Sequence, residues 1–209
     1  MTSADLRGSV IDETTRIDDK WRLVWEIVNQ GAVGRDLSGK DLSGAFLAGA
    51  DLREARLDST ILRKANLSQA NLSGAVLIGT DLTEVDLKGA NLTLVDLTGI
   101  FLDDTSQIDK KWKLVWQILN QGASGRDLSG EDLSGAYLAR ANLEGAVLIG
   151  VDFTGAILTE ANLSRANLTD ARLSGAILTN AILSDAVVTR DQLSEAGNLE
   201  GAILPAGAQ

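Results

Sequence analysis

The chain has 209 residues and a formal net charge of −10, is 44% hydrophobic, and contains no Cys and no His. Thiolate nucleophiles, disulfides, Cys/His zinc sites and imidazole acid–base chemistry are therefore excluded. Negative charge disfavours non-specific binding to nucleic acid or an anionic membrane. With one Pro and few aromatics, the core must be aliphatic and small.

The first residues, "MTSADLRGSVID", lack the basic and apolar regions of a signal peptide, and no apolar run approaches the length of a membrane span. The expected location is cytoplasmic. The "NLS" and "NLT" triplets at Asn66, Asn71, Asn91, Asn162 and Asn167 then read as repeat residues rather than glycosylation sites.

Ile17, Trp21, Val24, Trp25 and Val28 follow helical spacing, which predicts a helix over about 16–30. Thr15 is the expected N-cap, with Asp18 in the first turn, and Gly31 the expected stop. From Leu37 to Leu102 a Leu recurs at every fifth residue, fourteen times. Neither the helix period nor strand alternation accommodates that spacing. Two positions before the Leu the residue is mostly small: Ala at seven of the fourteen sites. The residue directly before the Leu is often Asp or Asn.

A second helix is expected over about 107–121, from Ile108, Trp112, Val115, Trp116 and Leu119, with Ser106 as N-cap and Gly122 as stop. A second five-residue run covers 128–188, with Leu at eleven of thirteen sites and Phe153 and Val188 at the others. "TRDQLSEAGNLEGAIL" then breaks register. Thr189 with Gln192 forms a capping-box pattern, so a short helix is expected over about 190–196. Leu199 and Leu204 return as a last half-coil that Pro205 ends.

These residues resemble the pentapeptide repeat family, whose pattern is A(D/N)LXX. The resemblance covers about 140 of the 209 residues. It implies a mainly β fold: a right-handed β-helix of square cross-section, one pentapeptide per side and twenty residues per coil, here about seven to eight coils with two inserted helices and a C-terminal cap. The physics agrees. A corner every five residues lets every central Leu point inward, and the small residue two before it fills the remaining inward site. A lone coil cannot bury its leucines, so stability must come from stacking.

A longer repeat contains the short one. Residues 17–48 return as 108–139, a period of 91, and "ADLRG" at 4–8 aligns with "VDLTG" at 95–99. This divides the chain into two modules, 1–104 and 105–209. The spacing between inserts leaves fourteen pentapeptides, or three and a half coils. If the coils run on through the second insert as one prism, the inserts leave from opposite sides, offset by roughly 17 Å at about 4.8 Å per coil. Two separate prisms, the second capped by Trp112 and Trp116, are the alternative. The duplication is equally compatible with a natural or an engineered fusion.

No catalytic constellation, cofactor site or metal site is legible. Asp36 and Asp41 occupy outward sites on adjacent sides of a convex surface, with no cleft around them. Asp103, Asp104 and Asp109 lack the spacing of a calcium loop. The chain is expected to be non-enzymatic. Trp21, Trp25, Trp112 and Trp116 are expected to pack on or cap the coils. Tyr137, Ile157 and Ile177 differ by one coil and stand where Asp or Asn is usual; Ile182 and Val187 continue apolar on the next two sides. Together they form a candidate interaction surface.

The leading expectation is a structural or protein-interaction module whose protein partner is unknown, with self-association possible. The alternative is a DNA mimic acting on DNA gyrase, as in fluoroquinolone-resistance members of the family. Outward columns such as Asp36, Arg56, Val76 and Asp96 carry mixed charge, far sparser than the charge every 1.7 Å or so of duplex DNA, which argues against gyrase. The helix insert and the "NLEGAILP" tail resemble cyanobacterial members, which makes a regulatory role a third reading.

Overall fold

The structure is a computed structural model and describes residues 4–207. It divides into two compact units, residues 1–109 and 110–209.

In the first unit the backbone climbs by parallel bridges between residues twenty apart. Asp36 pairs with Arg56, Arg56 with Val76 and Val76 with Asp96, and three further columns run beside this one. Each pairing is a single-residue bridge and not an extended strand. A side has room for two or three ladder bonds before the next corner, so the fold is β by pairing and mostly turn by length. Leu57 N–H, for example, donates to Val76 O at 2.8 Å, and Arg56 N–H to Arg35 O at 2.9 Å. The central leucines from Leu37 to Leu97 are completely or almost completely buried, as are the Ala residues two before them.

Corners obey one rule. The residue three after each Leu donates back to the Leu carbonyl, as in Lys40 N–H to Leu37 O at 3.2 Å. The residue two after the Leu is left-handed, φ 66° at Gly39. Such a turn favours Gly, yet Leu94 holds this place at φ 59° and is 41% exposed. Leu94→Gly should therefore raise stability by about 0.5–1 kcal/mol, and Gly39→Ala should lower it by about 1 kcal/mol, in urea unfolding. A Leu94→Gly chain that is no more stable would show that the corners carry no strain.

Helix α1, Asp19–Gln30, precedes the first coil and buries Val24 and Ile27. Its N-cap is Asp18, whose carboxylate accepts from Trp21 N–H at 3.1 Å, and not Thr15. Thr15 instead donates its hydroxyl to Asp12, in a turn that delivers the chain to the helix. Gly31 does end the helix, its N–H reaching Ile27 O. The coil then begins one pentapeptide earlier than the Leu run. Ala32 stands at the central position, is buried, and donates to Asp51 O at 3.0 Å. Arg35 and Lys40 fill the small-residue positions of this first coil. They fit because the neighbour on that side is a helix and not another coil: Arg35 pairs with Glu26 of α1 at 2.6 Å.

The first unit's ladder ends at Gln107, twenty-one residues after its partner Asp86. Gln107 donates to Val85 O, and its carbonyl accepts from Leu87 N–H. That commitment keeps residues 107–109 out of the helix expected there. Ser106 is likewise no N-cap; its hydroxyl shares its one proton between Asp103 Oδ1 at 2.8 Å and Leu82 O at 2.9 Å.

In the second unit, α2 (Lys110–Gln121) buries Trp112, Leu114, Val115 and Ile118. Ala123 repeats the role of Ala32. Bridges then run from Asp127 to Ile203. Phe153 is fully buried among the leucines. Helix α3, Arg190–Ser194, carries the expected capping box between Thr189 and Gln192. It interrupts the ladder without leaving it unsatisfied, because the Gln192 side-chain amide donates to Leu168 O and Ala171 O. Leu193 is buried twenty residues after Leu173, so the inward column persists through the helix. The ladder resumes as Ile177–Asn198 and Ile182–Ile203.

Candidate interaction surfaces

The outward position before each Leu is the one side chain of the pentapeptide that faces solvent and sits in the ladder. Where it is Asp or Asn, its side-chain oxygen accepts from the backbone N–H two residues on: Asp81 from Thr83, Asp86 from Lys88, Asp96 from Thr98. These groups brace corners. The donated bonds hold the carboxyls of Asp36, Asp41 and Asp127 below the ordinary range, with the neighbouring serine the first cause in each. Other acids are spent on basic residues one coil away. Glu84 meets Arg63 at 2.7 Å and Lys64 at 3.4 Å, Glu160 meets Arg140 at 2.8 Å, and Glu144 meets Arg165. Among the described residues, no group of acidic side chains is placed to hold a metal ion, and no helix is long and apolar enough to cross a membrane.

In the second unit Tyr137, Ile157 and Ile177 are stacked by direct bridges and are each half-buried. Ile182 lies on the next side, paired with Ile203, which is 53% exposed. Ile203 belongs to this apolar area but was not expected from sequence, because the six-residue step from Leu193 to Leu199 hides its register. Val187, 56% exposed, follows Asn167 on a further side. The first unit has its own exposed apolar groups, Ile61 and Phe101, but Asp81 stands between them in their column.

Both helices are fastened to their coils alike. Lys20 reaches Asp41 and the Ser43 hydroxyl; Lys111 reaches Asp132 and the Ser134 hydroxyl. The same lysines lie over Trp21 and Trp112, at 5.4 and 5.0 Å from the ring centres. Trp25 donates its indole N–H to Ser9 O at 2.8 Å. The Trp116 indole nitrogen is buried without a hydrogen-bond partner.

Twenty-residue coils, an inward leucine on each side and an outward Asp/Asn bracing each corner define a pentapeptide solenoid. The pattern described as pentapeptide repeats matches in eight copies, over residues 36–69, 60–99, 124–155 and 147–185, more than half of the chain. The chain belongs to the pentapeptide repeat family, whose solved members are right-handed β-helices. A comparison with curated proteins finds no match. Among solved structures, the chain is similar to HetL, a pentapeptide repeat protein involved in heterocyst differentiation regulation from Nostoc sp. strain PCC 7120. The identity is 28%, with 82% of this chain and 73% of that one covered and a TM-score of 0.33. It is also similar to QnrB1, a plasmid-mediated fluoroquinolone resistance protein, at 18% identity, 82% and 78% coverage and a TM-score of 0.36. A third is Rfr23 of the cyanobacterium Cyanothece 51142, at 22% identity, 74% and 56% coverage and a TM-score of 0.18.

Proposed function

We propose that the chain is a non-enzymatic protein-interaction module that engages its partner through the apolar column Tyr137–Ile157–Ile177, widened by Ile182 on the adjoining side. The observation that carries this reading is the stacking of three large apolar side chains on consecutive coils, at positions often given to corner-bracing Asp and Asn. Contiguous exposed apolar surface is costly to keep in water and marks contact sites. In this reading Trp21 and Trp112 serve the coils, beneath the lysines that tie each helix to them.

The charged surface supports this reading over DNA mimicry. A mimic needs dense, unpaired negative charge. Here Asp36 faces Arg56 at 3.7 Å, and Asp152 faces Arg172 at 3.7 Å on successive coils. Asp81, Asp86 and Asp96, the acids a mimic would present, are engaged in corners.

Ile157→Asp is the test. It should leave the fold intact, because the side chain faces outward. It should lower capture of a protein partner, or self-association measured by light scattering, by at least about tenfold. Unchanged association would sink the column as the contact surface. Gyrase supercoiling with the chain titrated in should show no effect at tens of micromolar or so; salt-sensitive inhibition would establish the mimic instead.

A further inference from the structure

Residues 5–9 form one isolated pentapeptide turn, held by a helix where a coil would be expected. Inside the coils, three backbone groups of each turn are served by the coil above. The N–H two after the Leu finds a carbonyl, as Gly39 finds Asp58 O at 2.8 Å. The carbonyl three after the Leu finds an N–H, as Thr60 O accepts from Asp81 N–H at 3.0 Å. The Leu carbonyl can take an additional donor, as Leu57 O takes the Thr80 hydroxyl at 2.7 Å.

For the turn at 5–9 the same three groups are met by two side chains of α1. Gly8 N–H donates to Asn29 Oδ1 at 2.7 Å, Leu6 O accepts from Asn29 Nδ2 at 3.0 Å, and Ser9 O accepts from the Trp25 indole at 2.8 Å. Asn29 Nδ2 also donates to Trp25 O, which braces the pair. Together Trp25 and Asn29 reproduce what a following coil supplies.

Among the described residues, three turns offer the N–H two after the Leu and the carbonyl three after it with no hydrogen bond, 91–95, 182–186 and 198–202, and of these only Asn198–Ala202 shares with Asp5–Ser9 both the side-chain brace and a left-handed Gly. Asn198–Ala202 repeats the Asp5–Ser9 turn closely. Glu200 N–H donates to Asn198 Oδ1 at 2.7 Å, as Arg7 N–H does to Asp5 Oδ1 at 3.0 Å. Ala202 N–H donates to Leu199 O at 3.0 Å, as Ser9 N–H does to Leu6 O at 3.2 Å. Gly201 and Gly8 share left-handed φ values of 70° and 68°. Gly201 is exposed, and neither its N–H nor Ala202 O has a hydrogen bond among the described residues. An open ladder edge of this kind seeks a partner.

We infer that the Trp25–Asn29 face of α1 is a coil-edge receptor whose partner in trans is the Asn198–Ala202 turn of a second copy, and that residues 5–9 are a strap that occupies the receptor in cis. The recognition is through backbone groups, so it tolerates the change from DLRG to NLEG. The contact joins unlike surfaces of two copies and is head-to-tail, which allows chains longer than a dimer. The strap wins in the isolated protein because it is tethered, at an effective concentration in the millimolar range or so. The site deepens the interaction-module reading by naming a second copy as partner. It lies apart from the Tyr137–Ile157–Ile177 column, so its failure would leave that surface untouched.

The test is sedimentation velocity on the full chain and its Gly8→Pro variant. Proline removes the Gly8 N–H and cannot adopt its φ, so the strap leaves; Gly8 is exposed and outside the ladder, so the coils stay folded. The unmodified chain sets the baseline. The variant should self-associate at least about tenfold more tightly, a synthetic Ala4–Val10 peptide should reverse this, and adding Asn29→Ala should abolish it. A variant that stays monomeric to about 100 µM, or association that Asn29→Ala and the peptide leave undiminished, would overturn the inference.

Discussion

Phe153→Ala should destabilise the second unit by about 3–5 kcal/mol. Phe153 is fully buried, and the ladder bonds Leu133 N–H to Asp152 O and Phe153 N–H to Arg172 O place it between Leu133 and Leu173 on consecutive coils. Removing the ring opens a cavity that three coils line, and ladder hydrogen bonds above and below keep them from collapsing into it. Phe153→Leu restores the residue found elsewhere in the column and should cost less than about 1.5 kcal/mol. Urea unfolding of the two variants measures both. In a solenoid each coil leans on its neighbours alone. Hydrogen exchange should therefore show lost protection at coils adjoining Phe153 before it appears near Leu67. Equal costs for Ala and Leu would mean that the column is not closely packed.

Acid should unfold the protein by removing corner braces. Asp103 is the strongest case. Its carboxylate accepts from the Ser106 hydroxyl at 2.8 Å, from the Thr105 hydroxyl at 2.8 Å, and from the N–H groups of Thr105, Ser106 and Glu84. These bonds, that from Ser106 foremost, hold its pKa far below the ordinary 3.8. Asp12 is held low in the corresponding turn before α1, chiefly by Thr14. A carboxyl with a lowered folded-state pKa stabilises fully above its unfolded pKa, and that stabilisation is lost as pH falls toward the folded value. Stability should thus be level from neutral pH down to roughly pH 5 and decline below roughly pH 4. Asp103→Asn, which cannot ionise, should be less stable at pH 7 and should show a shallower decline between roughly pH 4 and pH 2. Circular dichroism against urea at each pH measures the slopes; an unchanged slope would remove Asp103 from the account.

Much of this architecture is legible before any coordinates, because pentapeptide spacing is a local instruction. A Leu five residues after a Leu, with Ala two before it and Gly two after, specifies one side and one corner, and repetition specifies the coil. The helix stop at Gly31 and the capping box of Thr189 and Gln192 were readable for the same reason: each is a contact within four residues along the chain. The start of each insert was not. Thr15 and Ser106 look like caps, but Ser106 is drawn to Leu82 O and Gln107 to Val85 O, partners more than twenty residues away.

The sequence by itself determined the period, the inward residues and the presence of three helices, since each follows from side-chain size and backbone preference over a few residues. Tertiary structure alone decided which exposed groups meet. It brought Ile203 beside Ile182 across a six-residue step, set Arg35 against Glu26 where an Ala would be usual, and placed the strap under Trp25 and Asn29. Those outcomes depend on backbone groups that a neighbouring coil or helix satisfies from afar, and no local pattern carries that information.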